Sequence, residues 1–113
     1  MLKTSSKGLI TVLTNVIKDK VKEKLALEDV FQSKGRIKIL KILSIEGELN
    51  ISEIAKRAHI NHNSTRYHLN FLVKVNILQE KTFGRIRIYR FKVEDLRVRA
   101  IKDLFEIWEN SYL

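Results

Sequence analysis

The feature that most constrains the fold is a twelve-residue stretch from residue 61 that reads Asn-His-Asn-Ser-Thr-Arg-Tyr-His-Leu-Asn-Phe-Leu. Asn61 can cap a helix, because its short side chain can accept a hydrogen bond from a free N–H of the first turn. From that cap, Thr65, Leu69 and Leu72 fall on one helical face and are predicted to pack inward. We therefore predict a helix over 61–75 with one side on a hydrophobic core.

The outward side of this predicted helix is polar and lacks carboxylates. It carries imidazole, amide, guanidinium and phenol groups, with a hydroxyl beside them, from His62, Asn63, Ser64, Arg66, Tyr67 and Asn70. Such groups read base edges in a major groove, where Arg pairs with guanine and Asn with adenine. The sequence therefore predicts a DNA recognition helix with these six residues as its reading side chains. The alternative is a solvated helix face without a binding role.

Positive charge is concentrated around this helix. Residues 54–93 contain nine Lys and Arg and one acidic residue, and no acid lies between Glu53 and Glu80. A surface facing DNA phosphates needs such a distribution, since each basic group can displace condensed counterions. A membrane surface would attract the same charge, but these residues alternate with predicted core positions and do not line one long amphipathic helix. The candidate contacts to the DNA backbone are Lys56, Arg57, Arg85 and Arg87.

The elements before the predicted recognition helix complete a helix-turn-helix. Ser33 is predicted to cap a helix over 34–45, and a very short strand is expected at 50–51. Ser52 is then predicted to cap a helix over 53–58. Three or four residues separate that helix from the polar one, which is helix-turn-helix spacing.

A hairpin is predicted after the recognition helix. Residues 77–82 and 85–93 are strand-like and flank a turn at Phe83–Gly84, where Gly can take positive φ. The apolar residues of the second strand change parity along its length, which predicts a bulge or strong twist near Ile88. The hairpin would form the wing of a winged helix-turn-helix.

Two terminal helices are predicted to flank this winged core. The helix over 9–25 carries an apolar stripe, and the helix over 94–112 has apolar residues around about 200° of its circumference. One neighbouring domain cannot bury so much surface, so a homodimer is predicted. The alternative is that the two helices pack on each other within one chain. The candidate dimerisation residues are Leu13, Ile17, Ile101, Leu104, Phe105 and Trp108.

Length and composition limit the remaining possibilities. A chain of 113 residues is the size of one domain, predicted here as a flexible segment at 1–8 and a single domain over 9–113 with its winged core at 33–93. No Cys is present, so disulfides and thiolate zinc sites are excluded. His59, His62 and His68 do not share one helical face, and neither a metal nor another cofactor is predicted. Without a signal pattern or a membrane span, the expected location is cytoplasmic.

Four segments resemble the winged-helix transcriptional regulators of the ArsR-like class common in prokaryotes: residues 35–43, 51–58, 64–69 and 84–90. The resemblance covers about residues 29–108. It implies a mainly α fold with a small β-hairpin wing, and dimeric, sequence-specific binding of promoter DNA, usually for repression. Two-fold pairing would place two recognition helices about 34 Å apart, so a palindromic double-stranded site is expected. One departure is His59, which stands where such proteins often have Gly.

Three classes of function are therefore considered. The leading class is a regulator that reads a particular operator. The others are an architectural protein that coats DNA without base selection, and a winged-helix module that binds other proteins. An enzyme is not predicted, because the chain has no acid pair, no nucleophile with its base and no Gly-rich phosphate loop at a workable spacing.

Overall fold

The computed structural model describes residues 28–110. The segments predicted at 1–8 and 9–25, with Leu13 and Ile17, lie outside the described residues. Residues 28–32 are helical. The elements that follow, in chain order, are α1 (Lys34–Glu46), β1 (Glu48–Asn50), α2 (Ile51–Ala58), α3 (His62–Lys74), β2 (Leu78–Phe83), β3 (Ile86–Phe91) and α4 (Leu96–Asn110).

Side-chain caps fix where the first three of these helices begin. Ser33 and Asn61 cap α1 and α3 as predicted, accepting hydrogen bonds from the N–H groups of the residues three positions later at 3.2 and 2.8 Å. The prediction that Ser52 caps α2 is wrong. Asn50 is the cap, and its Oδ1 accepts a hydrogen bond from the Glu53 N–H at 2.9 Å. Because Asn50 ends β1 and its amide reaches into the helix, Ser52 lies exposed in the first turn.

The turn between α2 and α3 contains His59 in the left-handed conformation, at φ 58° and ψ 43°. The N–H of His59 donates to the Lys56 carbonyl, and the N–H of Ile60 donates to the Ala55 carbonyl. This pair of bonds is the Schellman arrangement that commonly ends a helix. His occupies this conformation more readily than most residues other than Gly. The helix-turn-helix therefore bends without the expected Gly.

The three strands form an antiparallel sheet in the order β1-β3-β2. Strands β2 and β3 pair without interruption from Leu78–Phe91 to Phe83–Ile86, so the two-residue turn is Gly84–Arg85. The predicted turn was one residue early. Of the predicted bulge or strong twist near Ile88, the bulge is wrong, because the register is continuous through Ile88. Apolar side chains lie on both faces of β3.

One core joins the helices to the sheet. Its fully buried side chains come mainly from α1, α2, α3 and β3, chiefly Ile39, Leu40, Leu43, Ile54, Leu69, Leu72, Tyr89 and Phe91. Thr65 is buried with Leu69 and Leu72, as predicted for the inner side of α3. Burying each large apolar side chain contributes about 1.5–3 kcal/mol. The core therefore fixes which side of α3 faces outward.

The architecture is the predicted winged helix-turn-helix, with α2 and α3 as the helix pair and the β2–β3 hairpin as the wing. Helix α4 lies within the predicted range of 94–112 and packs mainly against α1. Among the described residues, none of the helices is long and apolar enough to cross a membrane.

Candidate nucleic-acid interface

The outward side of α3 is the first part of the candidate interface. Five of the six predicted reading residues are exposed, and Ser64 is half-buried beside the cap. We call this set the α3 face: His62, Asn63, Ser64, Arg66, Tyr67 and Asn70. Thr65 strengthens the first turn on the buried side, because its hydroxyl donates to the Asn61 carbonyl at 2.9 Å. The helix thus presents donors and acceptors outward from a fixed backbone.

A buried arginine holds α3 from behind. Arg36 of α1 donates from Nε to His68 Nδ1 at 3.2 Å, and its guanidinium carbon lies 3.9 Å from the centre of the Phe71 ring. Cation–π contacts of this kind are strongest where water is excluded, and Arg36 is buried. A third contact runs from Arg36 Nη1 to the Asp29 carbonyl at 3.4 Å. Arg36 therefore links α1, α3 and the helical residues 28–32.

The Arg36–His68 contact also depends on a close approach at Gly35. A Cβ placed on Gly35 would lie 2.9 Å from His68 Nε2, which is closer than side chains tolerate. Burial, together with the positive charge of Arg36, lowers the pKa of His68 below its usual range. A neutral imidazole is the form that can accept the Arg36 N–H at Nδ1. Sequence reasoning did not identify Arg36 as the partner of His68, since 32 residues separate the two.

The basic residues around the α3 face fall into two groups, those that are paired with a carboxylate and those that have no ion pair among residues 28–110. Arg57 of α2 lies between two carboxylates, with Nη1 2.8 Å from Glu46 and Nε 3.3 Å from Glu53. Both carboxylates raise the pKa of Arg57, with the hydrogen bond to Glu53 as the largest cause. Lys56, the neighbouring candidate, is exposed and has no ion pair among residues 28–110.

The wing shows the same division. Arg87 Nε lies 3.5 Å from a Glu80 carboxylate oxygen, which also accepts the Tyr89 hydroxyl at 3.1 Å. Burial and the charge of Glu80 raise the pKa of Tyr89, so its hydroxyl remains a donor. Arg85 occupies the turn, is exposed, and forms no ion pair within the described part of the chain.

The predicted dimerisation residues of α4 divide between core and surface. Ile101 and Phe105 are half-buried against the core, whereas Leu104 and Trp108 are exposed. An apolar groove of about 390 Å³ is lined by Leu104, Phe105 and Trp108 of α4, together with Phe31 and Ile37. Lys41 and Glu109 lie at its rim, 3.9 Å apart. Among residues 28–110, apolar surface of α4 therefore remains open.

His59, His62 and His68 were also considered as metal ligands in the sequence. Among residues 28–110, no group of three or more His, Cys, Asp or Glu side chains is placed to hold a metal ion.

Residues 33–80 match the family model for the bacterial regulatory proteins of the arsR family. The match runs from the cap of α1 into β2 and includes the whole α3 face. This segment is an ArsR-family helix-turn-helix. No curated protein sequence matches the chain. The ArsR-family segment also contains Lys56 and Arg57, but it ends before the wing turn and before α4.

Solved structures share the fold of the ArsR-family segment and its surroundings. A domain of Mb0332 from Mycobacterium bovis, described as a homodimeric winged helix-turn-helix DNA-binding domain, is 16% identical, with a TM-score of 0.67 over 98% of this chain and 93% of that one. Reduced HlyU from Vibrio cholerae is 17% identical, with a TM-score of 0.66 over 81% of this chain and 94% of that one. The transcriptional repressor BigR from Xylella fastidiosa is 15% identical, with a TM-score of 0.64 over 88% and 96%. At these identities the likeness shows the winged helix-turn-helix fold.

Proposed function

We propose that the protein is a cytoplasmic, sequence-specific regulator of transcription that binds double-stranded DNA and represses. The observation that carries this proposal is the α3 face, which presents six polar side chains and no carboxylate. The opposite side of the same helix is packed in the hydrophobic core. A major groove is about 12 Å wide and admits one helix of this size. The ArsR-family match over residues 33–80 supports the same function, and BigR, a repressor of the same fold, supports repression.

Within this proposal, Arg66 and Asn63 are the principal base readers. Both are exposed on the first two turns of α3, and Arg66 has no ion pair among the described residues. A bidentate Arg–guanine or Asn–adenine contact needs a side chain that is available and a backbone that is fixed. The α3 face meets both requirements. Lys56 and Arg57, with Arg85 and Arg87 of the wing, would lie near the flanking phosphates or the adjacent minor groove.

The proposed regulator is a homodimer that pairs through helix 94–112, with the winged core at 33–93 as its DNA-binding part. Trp108 is 61% exposed on α4, beside Leu104 and the apolar groove. The removal of these side chains from water on pairing would contribute about 1.5–3 kcal/mol each. The homodimeric Mb0332 domain supports this assembly. Two-fold pairing would favour a palindromic site, with half-sites about 34 Å apart.

Selection of bound duplexes from a random library tests the function. A sharp consensus with two inverted half-sites is expected, and the specific site should be bound at least about a thousandfold more tightly than random DNA. Enrichment without a consensus would contradict base reading and favour an architectural coater. Absence of DNA binding at low salt would reject both and leave a protein interaction module.

A charge on α4 tests the dimer separately. Trp108→Glu should give a folded monomer by sedimentation that binds the palindromic site far more weakly than wild type while it retains some half-site contact. Leu96→Glu is the matched control, because Leu96 is 75% exposed on the same helix but does not line the groove. A wild-type protein that sediments as a monomer at tens of micromolar would contradict the dimer.

A further inference from the structure

The wing ends in an exposed pair of large apolar side chains. At its base Leu78, Tyr89 and Phe91 are buried, whereas every residue from 82 to 87 is exposed. Phe83 is 59% exposed and Ile86 is 53% exposed. Apolar side chains of this size at the tip of a projecting hairpin need a physical reason.

Phe83 and Ile86 act as one unit because of the strand register. They are direct cross-strand partners on either side of the Gly84–Arg85 turn. Directly opposite side chains of an antiparallel pair lie on the same face, with their Cβ atoms about 5 Å apart. That face is the one opposite Tyr89 and Phe91, so the pair projects away from the core. We call these two residues the tip pair.

Support of the hairpin does not by itself explain the tip pair. Cross-strand pairs of polar β-branched residues also stabilise strand ends, without exposing apolar surface. Nothing among residues 28–110 covers either side chain, and the turn holds the two strands together through Gly84 at φ 62°. The exposed surface is therefore available to a partner.

Charge identifies the chemistry of that partner. Residues 78–91 contain four basic side chains and one acid, Glu80, which is engaged by Arg87 and Tyr89. Arg85 stands between the members of the tip pair and has no ion pair in the described part of the chain. The hairpin thus combines the apolar tip pair, Arg85 in the turn between them and an excess of positive charge along both strands. This combination suits a polyanion that also offers apolar surface. Stacked base pairs lined by phosphates have both properties.

We propose that the tip pair is a wedge that enters the DNA minor groove, unstacks a base step and bends the duplex, while Arg85 holds the adjacent phosphates. Proteins that bend DNA in this way insert Phe, Leu, Ile, Met or Pro side chains between base steps and kink the duplex by about 20–90°. This inference rests on the proposed function. It adds selection of easily deformed base steps by the wing to the base-edge contacts of the α3 face. Steps that unstack easily, such as TA, would be preferred at the wing.

The experiment uses the full chain and the duplex most enriched in the selection, with 2-aminopurine replacing adenine at successive positions beneath the wing. Wild-type protein should brighten the probe at one step and bend the duplex, as measured by energy transfer between labelled ends. Phe83→Ser should abolish the brightening, reduce the bend and weaken binding about tenfold. Phe83→Leu should retain the brightening, because Leu is also a wedge residue.

Ile45→Ser is the matched control, since Ile45 is also a large apolar residue, 59% exposed, but it belongs to α1 and to neither the wing nor the α3 face. It should change neither signal, and thermal unfolding should show that all three variants remain folded. Tight binding by wild type without brightening or bending overturns the wedge and leaves the proposed function intact. A Phe83→Ser variant that changes the sedimenting mass and not the probe signal assigns the tip pair to a protein contact. If wild type binds no duplex at all, the proposed function and the wedge fail together.

Discussion

Arg66 and Arg57 lie on the two helices of one helix-turn-helix, yet they differ in the charge available to a partner. Arg66 on α3 has no ion pair among the described residues, whereas Arg57 on α2 is shared between Glu46 and Glu53. The wing repeats the contrast, with Arg85 unpaired in the same part of the chain and Arg87 close to Glu80. A count of charges along the sequence treats these four arginines alike. The fold separates them.

The difference arises because the acids at the two ends of the basic stretch fold back onto it. Glu53 lies one helical turn before Arg57, which places both on one face of α2. Glu80 is the cross-strand partner of Tyr89, and Arg87 lies diagonally next to that position. Exposed ion pairs contribute only about 0.2–1 kcal/mol, so a phosphate can compete for either arginine. Each paired arginine must nevertheless give up a carboxylate before it gains a phosphate.

The largest expected effect separates Arg66 from Arg57. Arg66→Ala should cost about 1–3 kcal/mol of binding on the selected site and relax preference at one or two base positions. Arg57→Ala should cost less and weaken specific and random DNA equally, because its proposed contact is to phosphate. Affinity titrations on the selected and a random duplex measure both. Asn63→Ala should behave like Arg66→Ala, and equal losses on both duplexes for the two α3 variants would remove α3 as the reader.

The second prediction concerns the dependence of binding on salt. Arg85→Ala should reduce the slope of log K against log salt by about one unit, as one phosphate contact is lost. Arg87→Ala should reduce it by less, since part of its charge is already neutralised by Glu80. Titrations at several salt concentrations give the slopes. An unchanged slope in the protein lacking both arginines would place the wing away from the phosphates.

The third prediction converts a paired arginine into an unpaired one. Glu80→Gln should strengthen binding and raise the salt slope by up to about one unit, because Arg87 then faces the phosphates without a competing carboxylate. Glu106→Gln is the control, since it breaks the ion pair with Lys102 on α4, far along the chain from the wing. Equal slopes for Glu80→Gln and wild type would mean that the Arg87–Glu80 pair does not limit the contact.

Local chemistry explains which features were predictable from sequence. The cap at Asn61, the buried Thr65 and the polar side of α3 follow from short-range periodicity, and the structure has all three. The same local signals failed at α2, where Asn50 and Ser52 are both good caps and the end of β1 decided for Asn50. The turn at Gly84–Arg85 depends on strand register, which the alternation of apolar residues left open by one position.

Contacts between distant residues were not predictable from one sequence. Arg57 meets Glu46 across eleven positions because Gly47 and β1 turn the chain back, and the sequence contains no pattern that pairs them. Arg36 meets His68 across 32 positions. Because the sequence does not show that contact, Arg36 would be counted among the surface charges from the sequence alone. In the structure it is a third kind of arginine, buried and paired with a neutral ring.

The smallest expected effect tests this third kind of arginine through pH. The pKa of His68 is lower in the folded protein than its usual 6.5 because of burial and Arg36. The unfolded chain therefore binds more protons in this range, and the His68 contribution to stability is complete above about pH 6.5 and declines as the pH falls through the folded pKa. Protonation would also remove the acceptor for the Arg36 Nε–H and place a second positive charge beside Phe71 and Tyr67.

Urea unfolding between about pH 7.5 and 5.5 measures this decline, and the range stays above the usual pKa values of Glu94 and Asp95. A backbone hydrogen bond and then Arg90 lower the pKa of Glu94 further, and hydrogen bonds from the Arg97 side chain and backbone lower that of Asp95. His68→Gln should flatten the profile, since its amide oxygen can still accept from Arg36 without titrating. His62→Gln is the control, because His62 is exposed on the α3 face, and its profile should follow wild type. If His68→Gln retains the wild-type decline, the titrating group lies elsewhere, and Arg36 is held by Phe71 and the Asp29 carbonyl without help from a neutral His68.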